Sequence, residues 1–417
     1  MADVVVVGAG LAGLACAGDL VAAGLDVRVL EASDAVGGRM RTDLRDGFRL
    51  DRGFQVFNTS YPQVKRRMRL RELRLRPFTP GVLLQTPRGR LRFVDPTRRP
   101  AQAGDLVPGR LASPRDLAAL AILGGRDLLT PPRLIKRAAD RTTLTALADA
   151  GISAELVETL FRPFLAGVFL EEELETSSRF FHLVWRSMLR GTLCLPAEGI
   201  GAVPAQLAAN LPAGTVRLET PVRQLTDDGV LLADGQEVAA PAVVVATGPA
   251  AAVDLLPELP AVPTRAVTTY YHAAPGPPLA EPTLLTDTGR RVLNTVVLSQ
   301  VAPTYSPDRR ALVATSVLGT AGAPDEAELR RTLAELYETD TADWEPLAEY
   351  RIQHALPAMP PPWPLSRTTR HTPGRTPHLY LCGDHGATGS VQGALASGTR
   401  AARELLADLG GKRSAQA

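Results

Sequence analysis

The sequence predicts a two-domain α/β fold, in which a doubly wound parallel-sheet domain is joined to a domain of mixed sheet carrying a helical insert. Three observations predict it. Val4 to Val7 is an uninterrupted β-branched run that leads through a glycine turn into a helical pattern over about Leu11 to Ala23 and a second β-run at Asp26 to Leu30, which together read as a βαβ unit. The far end of the chain repeats the theme, with the strand Leu379-Tyr380-Leu381, a glycine-rich loop and a helix from about Gly393 to Leu409. Between the two ends lie separate β-rich and helix-rich blocks. With 417 residues, 45% of them hydrophobic and 22% charged, the chain is long enough for two or three globular domains.

The elements follow in order. Residues from about 82 to 94 read as a hairpin around Pro87-Arg88-Gly89. Ser113-Pro114 supplies N-cap and N1 chemistry for a helical region that continues, with interruptions, to about Leu189. Strands return at Val216 to Leu218, Val230 to Leu232 and Val243 to Ala246, and a further β block lies at Ala266 to His272, Val292 to Leu298 and Leu312 to Val317. A helix from about Asp325 to Tyr337 precedes a loop rich in proline (Pro357, Pro360, Pro361, Pro362, Pro364). The basic stretch Lys65 to Arg76 reads as a solvated surface helix, with a membrane-surface contact as its other reading.

Composition excludes several functions. The 46 basic and 44 acidic residues leave a net charge of +2, so no overall field draws the chain to nucleic acid. Cys16, Cys194 and Cys382 lie far apart, and the 6 histidines are scattered, which fits neither a disulfide framework nor a metal site and points to the cytoplasm. A secretory signal is not expected ahead of Val4, and no stretch reaches about 18 uninterrupted apolar residues. A transmembrane segment is not expected; a peripheral membrane contact stays open, as does the oligomeric state.

Gly8-Ala9-Gly10-Leu11-Ala12-Gly13 lies between the first strand and helix, where glycines permit the tight turn and let backbone N–H groups approach a pyrophosphate. Glu31 follows Gly10 by about 20 residues at the end of the second strand, the place of an acid that accepts hydrogen bonds from a ribose. The pair points to a dinucleotide with an unphosphorylated ribose. The next stretch, Gly37-Gly38-Arg39-Met40-Arg41-Thr42, puts paired glycines beside an arginine whose rigid fork of donors suits phosphate.

At these residues the sequence resembles the flavin-containing amine oxidase superfamily, which includes monoamine oxidases, protoporphyrinogen oxidase, renalase-like proteins and phytoene desaturases. The resemblance implies FAD, bound non-covalently because Cys382 is not in the covalent attachment pattern, on a Rossmann-type, glutathione-reductase-like fold. It implies cofactor contacts from Gly8, Gly10, Leu11, Ala12, Gly13, Glu31, Gly38 and Arg39. It further places Gly53 and Phe54 of Asp51-Arg52-Gly53-Phe54 against the isoalloxazine ring, Val222 at the adenine, and Gly383 and Asp384 at the ribityl chain. Ser390 and Val391 would open a helix facing the flavin carbonyls, where its dipole favours negative charge. The likeness extends over nearly the whole chain. One departure stands out: many amine oxidases place a lysine near the flavin, in the region around Arg265 here, yet Lys65, Lys136 and Lys412 are the only lysines.

The expected domains are an FAD-binding unit of residues 1–75, 198–250 and 372–417, and a substrate unit of 76–197 and 251–371 with its insert at about 113–190. Tyr270 and Tyr271 alternate on one strand, so one of them faces the substrate pocket, and Trp363 is a second candidate for that pocket. Phe161, Phe164, Phe169, Phe180 and Phe181 read as helical core, with an apolar entrance as the alternative. The implied activity is hydride removal from a small-molecule substrate C–H bond to flavin N5, foremost by an amine oxidase or dehydrogenase. The alternatives are a phytoene desaturase-like enzyme acting on an apolar substrate and, less favoured because both cofactor motifs are intact, a non-catalytic binder like the Rab escort proteins. No catalytic side chain is assigned.

Overall fold

The computed structural model describes residues 2–106, 111–371 and 377–415. A five-stranded parallel sheet runs in the order Val216–Arg217, Val27–Leu30, Val4–Val7, Ala242–Val245, His378–Leu381. Chain progression reverses between Val4–Val7 and Ala242–Val245, the switch point at which doubly wound sheets open a crevice beyond their carboxyl ends. All four residues of Val4–Val7 are buried, because helices and a second sheet cover both faces and leave no polar alternation. On one face lie the helices Leu11–Ala22 and Val391–Ala415. On the other lie helix Pro249–Leu255 and a small antiparallel sheet of Val222–Leu225, Gly229–Leu232 and Glu237–Ala239.

Two glycines set how tightly this unit closes. A Cβ at Gly13 would stand 2.0 Å from the Gly8 carbonyl oxygen, and one at Gly398 would stand 2.0 Å from that of Ala12. The last helix can therefore lie on the first only with hydrogen at position 398.

The second sheet has seven strands in the order Glu345–Pro357, Thr264–Ala274, Ala311–Leu318, Asn294–Val297, Leu284–Asp287, Gly81–Thr86, Gly89–Val94. It is mixed, because Leu284–Asp287 pairs parallel with Gly81–Thr86 while the other neighbours are antiparallel. Period-two alternation divides it into an outer face, where Tyr270, Val297, Val313 and Val317 pack under helix Glu326–Tyr337, and an inner face, where Tyr271, Val296 and Ala314 pack on Phe48 and Leu50. The insert begins at helix Pro114–Leu129, capped by the Ser113 side chain. It gathers Phe161, Phe169, Phe180, Phe181 and Trp185 into one core, so these phenylalanines are core rather than an entrance, with Phe164 partly buried beside them.

Three expectations change. The basic stretch is helical only over Pro62–Arg67, and Arg67 is not solvated there: its guanidinium pairs with Asp19 and donates to the Thr399 hydroxyl at 2.7 Å. Glu345–Pro357, ahead of the proline-rich loop, is a 13-residue strand whose alternation is masked because much of it is solvent-facing. The closing helix runs to Ala415 rather than Leu409, and the boundary drawn at residue 372 lies outside the described residues. Among the described residues no helix is long and apolar enough to cross a membrane.

Replacing Gly398 by leucine should force the first and last helices apart. The expected cost is about 1–3 kcal/mol from overpacking, read as a lowered thermal midpoint, whereas Gly18→Leu, where no atom lies within 4 Å of a Cβ, should cost much less.

Candidate active site

At the crevice the chain turns at Gly8, with φ +103°, so that the Ala9 N–H donates to Glu31 Oε2 at 2.7 Å. The other carboxylate oxygen of Glu31 accepts from the Ser33 N–H and hydroxyl at 3.0 and 2.7 Å. The Thr220 N–H donates to the Glu31 carbonyl at 2.8 Å and places Val222, two residues on, at the start of the small sheet. Gly10 bridges Gly37, and a Cβ on Gly38 would lie 3.6 Å from the Gly10 Cα. No heavy atom lies within 4 Å of where a Gly10 Cβ would stand, and the buried Thr247 hydroxyl beside Gly8 has no partner among the described residues. Leu11, Ala12 and Gly13 open the first helix, buried beneath this turn.

The two ends of the chain meet at Arg39, which donates to Asp384 at 2.5 Å and to the Ala355 carbonyl at 2.9 Å. Gly383 donates to the Ser397 hydroxyl at 3.1 Å. Ser390 caps the closing helix that begins at Val391, accepting from the Gly393 N–H at 3.1 Å. Burial pushes the Cys382 thiol up to about 12, so it carries its proton. Burial also lowers the pKa of neighbouring His385, whose Nδ1 has no partner among the described residues.

Asp51-Arg52-Gly53-Phe54 is held against the inner face of the mixed sheet. Tyr271 donates to the Asp51 carbonyl at 2.7 Å, the Phe54 N–H reaches the Thr269 hydroxyl at 3.4 Å, and a Cβ on Gly53 would stand 2.6 Å from Ile352 Cδ1. The Asp51 carboxyl is buried and accepts from Thr42 Oγ1 at 2.6 Å, the Ile200 N–H at 2.9 Å and Tyr305 Oη at 2.8 Å. Burial outweighs those three bonds and raises its pKa from 3.8 to about 6. The sequence motif points to Gly53 and Phe54 and not to Asp51, whose burial comes from packing against Thr42 and against Ile200 and Tyr305, distant in the chain.

Beyond this loop the inner face packs on the insert: Val267, Leu293, Ile352 and Ala355 form one apolar cluster with Ala166 and Leu170. Arg265 Nε and Asn294 Oδ1 are buried without partners among the described residues, and both belong to this face, since Arg265 pairs with Leu356 and Asn294 with Ser316. Of the two tyrosines only Tyr271 is on the inner face, and its hydroxyl holds the Asp51 loop. Tyr270 is a correction: it packs on the outer face and donates to the Pro324 carbonyl at 2.7 Å. Trp363 is another, for it is buried in the insert core and its indole N–H donates to the Ala387 carbonyl at 2.8 Å. That bond anchors the loop that follows Asp384. The strand ladder alone brings Arg265, Thr269, Asn294 and Ile352 together, and no local motif marks them.

The buried carboxyl generates a pH dependence. Its folded pKa is raised, so its contribution to stability is fully present below about pH 4 and is lost as pH rises through about 6. Asp51→Asn should remove that loss, which is on the order of 3 kcal/mol. Thermal unfolding between pH 4 and 7 should give a flatter profile for the variant; parallel profiles would contradict the assignment.

The residues at the crevice fit FAD: an open cradle at Gly10, an unpartnered hydroxyl at its floor, and Glu31, Arg39 and Asp384 around it. The comparisons agree. The chain is 28% identical over 453 residues to hydroxysqualene dehydroxylase of Rhodopseudomonas palustris, spanning 96% of this chain and 98% of that enzyme. It is 28% identical over 320 residues to coproporphyrinogen III oxidase of Propionibacterium freudenreichii, a match covering 62% of this chain and 59% of the relative. The fold superposes on cyclohexylamine oxidase from Brevibacterium oxydans with a TM-score of 0.69 at 18% identity, over 98% of this chain and 99% of that one. Residues 11–406 match the flavin containing amine oxidoreductase family, and the chain belongs to that family of FAD-dependent oxidoreductases.

Proposed function

We propose that this oxidoreductase dehydrogenates an apolar small molecule bound beside the Gly53-Phe54 loop. The observation that carries this reading is the apolar character of the inner face next to that loop, where the partly buried Ile352 and Ala355 pack with Val267, in a chain with no lysine between Lys136 and Lys412. When bound, FAD supplies the acceptor for a hydride removed from a substrate C–H bond. Glu31 would hold a ribose, Arg39 the pyrophosphate and Asp384 the ribityl chain. Gly8, Gly10 and Gly38, with Leu11, Ala12 and Gly13 at the helix start, would admit the phosphates. Gly53 and Phe54 would lie at the ring and Val222 at the adenine, with the helix opening at Ser390 and Val391 aimed at the ring carbonyls.

The described residues packed around Val267 and Ile352 offer no paired acid and base, so they contribute orientation and the exclusion of water. The proton-bearing, buried Cys382 thiol supports non-covalent binding, and three buried, unpaired cysteines fit a reducing cytoplasm. Amine oxidation is the second reading, favoured by the description of the family itself.

The test is the anaerobic visible spectrum of the purified protein. A bound flavin that bleaches with polyenes or porphyrinogens and not with primary, secondary and cyclic amines is the expected result; bleaching by an amine alone would transfer the assignment to amine oxidation. Glu31→Ala should weaken FAD retention about tenfold or more, the loss of charge-assisted hydrogen bonds, measured as the flavin-to-protein ratio with circular dichroism as the control for folding.

A further inference from the structure

Helix Pro114–Leu129 of the insert is inverted in its polarity. Its two acids, Asp116 and Asp127, are buried, whereas Ile122 and Leu129 are 71% and 81% exposed. Polar partners turn the acids inward: Asp116 accepts from the Ser113 and Ser153 hydroxyls at 2.7 and 2.9 Å, and Asp127 lies 2.7 Å from His182 Nδ1. Arg115, Ile122 and Leu129 recur at a spacing of two helical turns and so share one face. The apolar surface continues past the helix end, where Pro131, Pro132 and Leu134 are exposed in turn.

Cations surround these side chains. Arg115, Arg126, Arg133, Lys136 and Arg137 are all exposed, and between positions 114 and 137 the two buried aspartates are the only acids. From the neighbouring helix Ser178–Arg190, Arg186 and Arg190 donate to the Thr130 and Leu128 carbonyls at 3.1 and 3.5 Å, which brings two further positive charges to the same helix end. The whole chain carries only +2, so this face is positive through local placement. Exposed aliphatic side chains ringed by arginine and lysine suit a surface that is apolar within and anionic at its boundary.

We infer that this face of the insert seats on an anionic membrane surface, with Ile122, Leu129 and Leu134 entering the acyl boundary and the surrounding cations at the headgroups. An acidic protein would match the charge, but hot spots on proteins fill formed pockets, whereas the acyl boundary admits protruding aliphatic side chains wherever they stand. The contact is thereby on the insert and not on Lys65 to Arg76, where Arg67 is already paired with Asp19. It holds whatever molecule the enzyme oxidises.

The test is sedimentation of the purified full chain with vesicles of phosphatidylcholine, alone and mixed with phosphatidylglycerol. The chain should pellet with the mixed vesicles, bind phosphatidylcholine alone about tenfold less, and be released as added salt screens the exposed charges. Ile122→Ser/Leu129→Ser and, separately, Arg133→Gln/Arg137→Gln should each lower partition about tenfold. Thermal midpoint and flavin content should not change in either, because all four side chains are exposed. Lys65→Gln/Arg71→Gln should leave binding as it is. No pelleting with either vesicle, undiminished partition in Ile122→Ser/Leu129→Ser, or loss of binding only in Lys65→Gln/Arg71→Gln would overturn the inference. So would a dimer in solution that Ile122→Ser/Leu129→Ser dissociates, which would make a second copy of this chain the occupant of the face.

Discussion

Helix Val391–Ala415 lies on helix Leu11–Ala22 at a distance only glycine allows, because any side-chain carbon at Gly398 would meet the Ala12 carbonyl. The site depends on that contact. It sets His378–Leu381 beside Ala242–Val245 as the last strand of the parallel sheet, which delivers Asp384 to Arg39 across 345 residues of sequence. The last helix thereby begins, at Val391, next to the turn that begins the first. A cofactor whose contacts are divided between the two ends of a chain needs those ends closed on one another, and close helix packing closes them without a covalent link.

The mixed sheet uses its two faces for different work. Its outer face is covered by helix Glu326–Tyr337, over a core that includes the Thr295, Thr315 and Tyr337 hydroxyls. Its inner face carries Thr269 and Ser316 in contact at 3.1 Å, and Arg265 Nε and Asn294 Oδ1 without partners among the described residues. Buried polar atoms without partners are rare in folded proteins because each forfeits its hydration, and two of them stand on this one face. Asp51 shows the same economy at the hinge between the sheets. Three hydrogen bonds hold its carboxyl, yet burial still raises its pKa, so the loop that presents Gly53 and Phe54 is fastened by a group sensitive to acidity.

Much of the nucleotide-binding unit was legible because its signals are local. A β-branched run, a glycine turn and an acid at fixed spacing lie within a short stretch, where backbone sterics and hydrogen-bond geometry act between near neighbours. The hairpin at 82–94, the Ser113 cap and the strand block from Ala266 to Val317 were legible for the same reason. Strand Glu345–Pro357 was not, since an edge strand with one solvated side loses the apolar alternation that announces a strand. The basic stretch after Tyr61 misled because charge reads as exposure, and Arg67 found Asp19 and Thr399 on other helices.

For the substrate side, the sequence by itself determined which residue types stand on which strands and that alternate residues take opposite faces. It did not determine which face looks inward. The packing of helix Glu326–Tyr337 on one side and of the Asp51 loop on the other decided that, sending Tyr270 to the outer face and Tyr271 to the inner one. Trp363 likewise went to the insert core. Local chemistry sets a motif that a cofactor reads through backbone atoms, but the inner face of the mixed sheet is assembled from strands and a helix distant in sequence, and only their packing defines it.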